Sequence, residues 1–282
     1  MNGPAAASPE QVRIWQPAGL PGLQMMQATY VTTTFARHTH EGFGVGVIER
    51  GALGFYYRGE NVVAGQGRIN LVNPDEVHTG QSATEAGWTY RMFYFGAETL
   101  QRAAAEMAGR HAELPFFTSG VLDDPQLAAL IRSVHLRLED AAVPLLERQS
   151  VFLHMLTRLI ARHADAPPAQ RPAGREHRGI RRAMDHIAAN FSEEISVDAL
   201  AAVAGLSPYH FIRVFCRATG LPPHAWLMQY RARVAQAMLR RGIPIADAAC
   251  GAGFADQSHL NRVFKRLFGY TPGQYSNSVQ DG

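Results

Sequence analysis

Cysteine is nearly missing from this sequence. Two residues, Cys216 and Cys250, among 282 cannot build a disulfide framework, and such scarcity suits a reducing compartment. Long apolar runs are missing too. No stretch is long enough to cross a bilayer, so a membrane-spanning helix is not expected. The opening residues, MNGPAAASPEQVR, hold no basic start followed by an apolar run, which argues against a secretory signal and for the cytoplasm. Catalytic equipment is equally scarce: no phosphate loop, paired carboxylates or nucleophile–base set stands out. What remains is a chain with 46% apolar and 18% charged residues, proportions that exclude a disordered or fibrous protein. Its length suits two ordinary domains, each able to bury a core without staples.

Positive charge rests almost wholly on arginine and is unevenly spread. Residues 1–170 carry 13 Arg against 16 acidic residues, a net of −3, whereas residues 171–282 carry 13 Arg and one Lys against 8, a net of +6. A basic C-terminal third suits a polyanionic partner. Between the parts runs Ala164–Gly174, with three prolines and almost no large apolar residue, a linker composition. The expected division is 1–163, a linker at 164–176, and 177–282.

The two parts differ in pattern. Gly44–Glu49, Leu53–Tyr57, Arg68–Val72 and Trp88–Phe95 read as short strands separated by turns at Arg58–Asn61 and Gly65–Gly67, which predicts a sandwich or small barrel. From Asp124 to His163 the period becomes helical. Leu127, Leu130, Ile131, Val134 and Leu138 form one stripe; Leu145, Phe152, Leu156, Leu159 and Ile160 form a second after Pro144. This pair is expected to pack on its own barrel.

The C-terminal third repeats itself. His210-Phe211-Ile212-Arg213-Val214-Phe215-Cys216-Arg217 matches His259-Leu260-Asn261-Arg262-Val263-Phe264-Lys265-Arg266 at an offset of 49, and the match runs on through Gly220/Gly269 and Pro223/Pro272. One supersecondary unit is therefore used twice. Ser196 caps a helix whose inner face carries Val197, Leu200, Ala201 and Ala204; Gly205 turns the chain; Ser207 caps the next helix with Pro208 in its first turn. Phe211, Val214 and Phe215 bury one face, and Gly220 ends the helix. The arrangement is a helix-turn-helix. The second copy runs from Ile245 through the turn at Gly251–Gly253 to a helix ending at Gly269. Between the copies, Pro223–Arg241 reads as a bridging helix with Trp226, Leu227, Tyr230, Val234 and Met238 as its stripe. The second helices are expected to expose Tyr209, Ile212, Arg213 and Arg217 in one copy and Gln257, Ser258, Asn261, Arg262 and Arg266 in the other. Arginine pairs with guanine, Gln and Asn pair with adenine, and Ser or Tyr reaches bases or phosphates.

Ser207-Pro208-Tyr209-His210-Phe211, then Gly253-Phe254, Ser258-His259-Leu260, Arg262, Phe264-Lys265 and Tyr270-Thr271-Pro272 resemble the AraC/XylS family of bacterial transcription regulators over residues 177–276. The resemblance implies two helix-turn-helix units, each placing its second helix in the DNA major groove. By position the readers of bases or phosphates are Tyr209, Ile212, Arg213, Gln257, Ser258, Asn261 and Arg262, with Arg217 beside them. Ile212 replaces a polar residue and Cys216 a lysine, so one hydrogen bond and one phosphate contact are missing from the family pattern. Partners implied are double-stranded DNA, RNA polymerase, a small-molecule effector and a second copy of the chain seated on the helical pair; no membrane is implied.

His38-Thr39-His40-Glu41, Glu49-x-Gly51, Gly65-x-Gly67 and Asn73-Pro74-x-Glu76-Val77-His78 resemble the cupin-type sensor domain of such regulators over residues 20–100. The fold class expected is thus a cupin-like β-barrel followed by a helical pair, then an all-α domain with two helix-turn-helix units. On a strand His38 and His40 point to one side, and His78 is a third imidazole. Metal cupins carry a glutamate four or five residues after the second histidine, where this chain has Gly44 and Val45. The expectation is therefore no metal and no other cofactor, with His38, His40, His78, Tyr90 and Met92 as contacts for an organic ligand. Two rival readings stand beside this one. A metal-dependent cupin enzyme tethered to DNA would need bound metal and turnover. A regulator whose N-terminal domain binds only protein would have a filled barrel.

Overall fold

The computed structural model describes residues 10–168 and 177–280. These group into two compact units: the barrel up to Ala141 with the segment from Val151 onward, and Ala142–Ser150 with the C-terminal helices. Among the described residues no single helix is long and apolar enough to cross a membrane.

The first unit is an antiparallel barrel built around one long strand. Its strands are β1 (Gln11–Trp15), β2 (Leu23–Tyr30), β3 (Phe35–His38), β4 (Gly42–Tyr57), β5 (Glu60–Gly65), β6 (Ile69–Val72), β7 (His78–Ser82), β8 (Trp88–Gly96) and β9 (Val121–Leu122). The order in the main sheet is β1-β2-β8-β4-β6-β9. Two runs read from the sequence as separate strands, Gly44–Glu49 and Leu53–Tyr57, are one strand. The first half of β4 pairs with β6 and β8, and the second half with β5 and β7. The strand crosses from one sheet to the other at an irregularity between Ile48 and Arg50, where Gly51 takes φ +67°. Gly46 allows β4 and β8 to close up, because a Cβ there would overlap Met92 Sδ and the Arg91 carbonyl.

Alternation along β8 sends its side chains to two cores. Trp88, Tyr90 and Met92 face the barrel interior with Met26, Ile48 and Phe55. Phe93 and Phe95 face the helices, each within about 6 Å of the Phe152 ring. α1 (Ala97–Ala108), α2 (Pro125–Glu139) and α3 (Leu145–His163) follow the strands. Asp124 caps α2 through the Leu127 N–H, and its other oxygen takes Arg162 and His163 of α3 at 2.8 Å each. The expected linker begins later than its composition suggested. Ala164 is buried and Asp165 binds the Phe116 carbonyl and the Thr118 backbone and hydroxyl, so both stay with the barrel. Residues 169–176 of that linker lie outside the described residues.

The second unit is all helix: α4 (His177–Ala189), α5 (Val197–Ala204), α6 (Pro208–Thr219), α7 (Pro223–Arg240), α8 (Ile245–Gly251), α9 (Gln257–Phe268) and α10 (Pro272–Gln280). α7 packs against α6 and against α8, α9 and α10, which makes it the bridge between the two repeats. Its fully buried face, Leu227, Met228, Arg231, Ala232, Ala235 and Leu239, is rotated from the stripe read in the sequence. Small alanines sit where helices approach closely, while Trp226, Tyr230, Val234 and Met238 are only half-buried. Arg231 lies inside because its guanidinium donates to the carbonyls of Phe191 and Glu193 at 2.6 and 3.0 Å. The Gln149 side chain accepts from the Val197 N–H at 2.8 Å, fastening residues 142–150 to the start of α5.

Candidate effector cavity and DNA-reading helices

The barrel is hollow. Its cavity of about 360 Å³ is lined by apolar and aromatic side chains, with His38, His40, His78, Tyr90 and Met92 all in the wall. This size and lining suit one small organic molecule. The three histidines meet through strand pairing rather than sequence proximity. β3 pairs with β7 so that His38 stands opposite His78, and the Asp75 N–H holds the His40 carbonyl at 2.8 Å just beyond β3. The ring centroids lie 4.2–5.0 Å apart.

Hydrogen bonds set two of the tautomers. Nδ1 of His38 lies 2.8 Å from the Ala36 carbonyl and Nδ1 of His78 lies 2.9 Å from that of Glu76. A carbonyl only accepts, so each Nδ1 carries the proton and each Nε2 keeps its lone pair. Nε2 of His40 and His78 are 3.1 Å apart. Burial, and then the nearby His78 and His38, bring His40 down to about 4; burial also lowers His78. Both imidazoles are therefore neutral at neutral pH. Across the cavity Tyr90 and Tyr94 share a hydrogen bond; burial raises Tyr94 to about 12 and raises Tyr90 further, so both remain phenols.

Two wall groups escaped the sequence reading. Trp88 Nε1 and Asn70 Oδ1 are buried and lack a hydrogen-bond partner among the described residues. Asn70 left one signal, a polar residue inside the apolar run Ile69-Asn70-Leu71-Val72. Trp88 left a weaker one: alternation puts it on one face with Tyr90, Met92 and Tyr94, but does not say which face lines the interior.

The second unit presents the other surface. On α9, Gln257, Ser258, Arg262, Lys265 and Arg266 are exposed and Asn261 is half-buried. Asp256 caps this helix through the His259 N–H at 2.6 Å, which leaves the face beyond it without an acid. On α6, Arg217 is exposed and Arg213 is half-buried, its guanidinium 3.0 Å from His210 Nδ1. Tyr209 and Ile212 differ from expectation: they are only 3% and 5% exposed. Both carry large apolar surfaces, and withdrawing them from water is favourable. In this conformation neither is available to a base. Burial also raises the thiol pKa of Cys216, where the family pattern has lysine.

Comparison with known proteins bears on both halves. Residues 20–156 match the AraC-like ligand binding domain and residues 200–278 match a helix-turn-helix domain. The chain belongs to the AraC family of transcriptional regulators. AraC-family regulators bind DNA, and this chain carries both the ligand-binding and the helix-turn-helix part of that family. It is 27% identical over 229 residues to the HTH-type transcriptional regulator YbfI of Bacillus subtilis, covering 80% of this chain and 81% of YbfI. It is 23% identical over 245 residues to the HTH-type transcriptional activator RhaS of Escherichia coli, covering 84% and 86%. A solved structure from Rhodopseudomonas palustris, a probable AraC family transcriptional regulator, shares 26% identity over 36% of this chain and 97% of that one, with a TM-score of 0.34.

Gly44, where metal cupins have their carboxylate, lies in the cavity wall, and a Cβ there would sit 3.3 Å from the Tyr94 ring. The aromatic ring takes the space a carboxylate would need.

Proposed function

We propose that the barrel cavity binds a small organic effector and that its occupancy changes the affinity of the α6 and α9 helices for two successive major-groove segments of an operator. The observation that carries this is the hollow wall itself. A cavity of about 360 Å³ holds a buried indole N–H and a buried amide oxygen left unpaired, and such groups normally have partners. A ligand that bonds Trp88, Asn70 and the Tyr90–Tyr94 pair satisfies them. A filled barrel, expected of a domain that binds only protein, is not what the interior offers.

Base and phosphate contacts fall to Arg213, Arg217, Gln257, Ser258, Asn261 and Arg262. The chain acts in the cytoplasm as a homodimer through α2 and α3, engages RNA polymerase, and catalyses no reaction. A thermal-shift screen of phenols, aromatic acids and sugars on the full chain tests the cavity. A binder at 100 times its Kd raises stability by about 3 kcal/mol and shifts operator affinity by about 1–3 kcal/mol. The gain disappears when His40 and Tyr90 are both replaced by Ala. Stabilisation that survives the double replacement contradicts the assignment.

A further inference from the structure

The histidine cluster does more than polar lining requires. His38, His40 and His78 each offer one ring nitrogen, and these nitrogens all lie within 4.8 Å of one another. We propose that these three histidines bind a divalent transition-metal ion, of the zinc or iron(II) type, and leave one coordination position facing the cavity. The sequence argued the other way from the absent glutamate, but the geometry supplies what spacing along the chain does not.

Three features support the site. First, imidazoles bound to one tetrahedral ion at about 2.0–2.1 Å have nitrogens about 3.4 Å apart, and the His40–His78 pair already stands at 3.1 Å. Second, His38 and His78 give their Nδ1 protons to backbone carbonyls, so neither Nε2 carries a proton; that of His78 accepts from His40 Nε2–H, a proton that moves to His40 Nδ1 when an ion takes its place. Metal-bound histidines are usually oriented by such an outer hydrogen bond. Third, the three side chains are seated by separate backbone devices, the β3–β7 pairing and the Asp75–His40 hydrogen bond, so the cluster is formed before any ion arrives.

The donor set also indicates what takes the open position. Three imidazole donors suit zinc, iron, copper or nickel rather than magnesium or calcium. They leave the ion's double charge uncompensated, and among the described residues no Asp or Glu lines the cavity. An anionic oxygen donor, a carboxylate, phenolate or enolate, therefore completes the coordination. This last step rests on the cavity being the effector site; binding of the ion does not.

The test is a titration of chelator-treated full-length protein with Co²⁺, read by its visible absorption, with Zn²⁺ as competitor. One ion per chain is expected, with the intense band of a four- or five-coordinate centre. His78→Gln and His40→Gln should each weaken binding at least tenfold, while His111→Gln, an exposed histidine outside the cluster, should leave it unchanged. Circular dichroism confirms that each variant is folded, and His38→Gln serves where one of the others is not. Acetohydroxamate, the probe for an open position, should shift the Co²⁺ spectrum of the wild type. Substoichiometric uptake overturns the proposal, as does an equimolar site that survives His78→Gln. Failure of the effector screen with an intact Co²⁺ site would refute the cavity reading alone.

Discussion

His135 is fully buried on α2, and its surroundings allow one protonation state. The Arg91 guanidinium donates to Nδ1 at 3.1 Å, so the ring proton sits on Nε2 and points to the Met26 carbonyl at 3.2 Å. Burial, and then the Arg91 charge, bring its pKa down to about 4, although Glu139 and Glu49 pull the other way. The unfolded chain takes up a proton below about pH 6.5 that the folded chain refuses until about pH 4. Stability contributed by this histidine is thus complete above pH 6.5 and is lost as pH falls towards 4, by up to about 3 kcal/mol. Melting temperature followed from pH 7 to pH 4 should fall, and the fall should be shallower in His135→Gln, whose amide can still accept from Arg91 and donate to Met26. An equal slope in the variant assigns the acid sensitivity to other groups. His135 gave no sign of this in the sequence, since it reads as one polar residue on an amphipathic helix. Its role depends on Arg91, 44 residues away.

At the scale of elements, the two repeats share a plan but not their details. Ser196 and Asp256 both cap their helices with a side-chain hydrogen bond, at 3.1 and 2.6 Å. Ser207, the repeat partner of Asp256, occupies the cap position without making one. Ser196→Ala should therefore cost about 1 kcal/mol, while Ser207→Ala should cost only a few tenths. Urea denaturation of the two variants checks this, and equal losses would contradict the difference between the caps. The helices and their ends were legible because capping residues, glycines and the 49-residue match are local signals. α6, α7 and α9 run almost as read, with αL glycines at Gly220 and Gly269. The buried face of α7 was less legible, because alanines and one paired arginine displaced the larger apolar residues from the closest contacts. The burial of Tyr209 and Ile212 was not legible at all, since a helix pattern says which residues share a face but not what covers that face.

Taken as a molecule, the chain carries a hollow barrel and a unit with two helix-turn-helix repeats. The barrel was legible as a class of fold, and its histidine pair as a motif. The convergence of His38, His40 and His78 needed the pairing of β3 with β7, which leaves no mark in local sequence. The orphaned Trp88 and Asn70 groups needed the shape of the cavity. The proposed reading of DNA assigns the base readers to α6 and α9, which α7 bridges. A bridge of this kind sets the two contacts about one helical turn apart, ~34 Å. In vitro selection from random duplex DNA, run with the full chain and with Arg262→Ala, tests this most directly. The wild type should enrich a bipartite motif whose halves are one turn apart. Arg262→Ala should lose preference at one position of one half, with a cost of about 1–3 kcal/mol against the selected site, and leave the other half intact. Enrichment of no motif, or of the same motif with the same affinity by both proteins, would contradict the assignment of α9 as a reading helix.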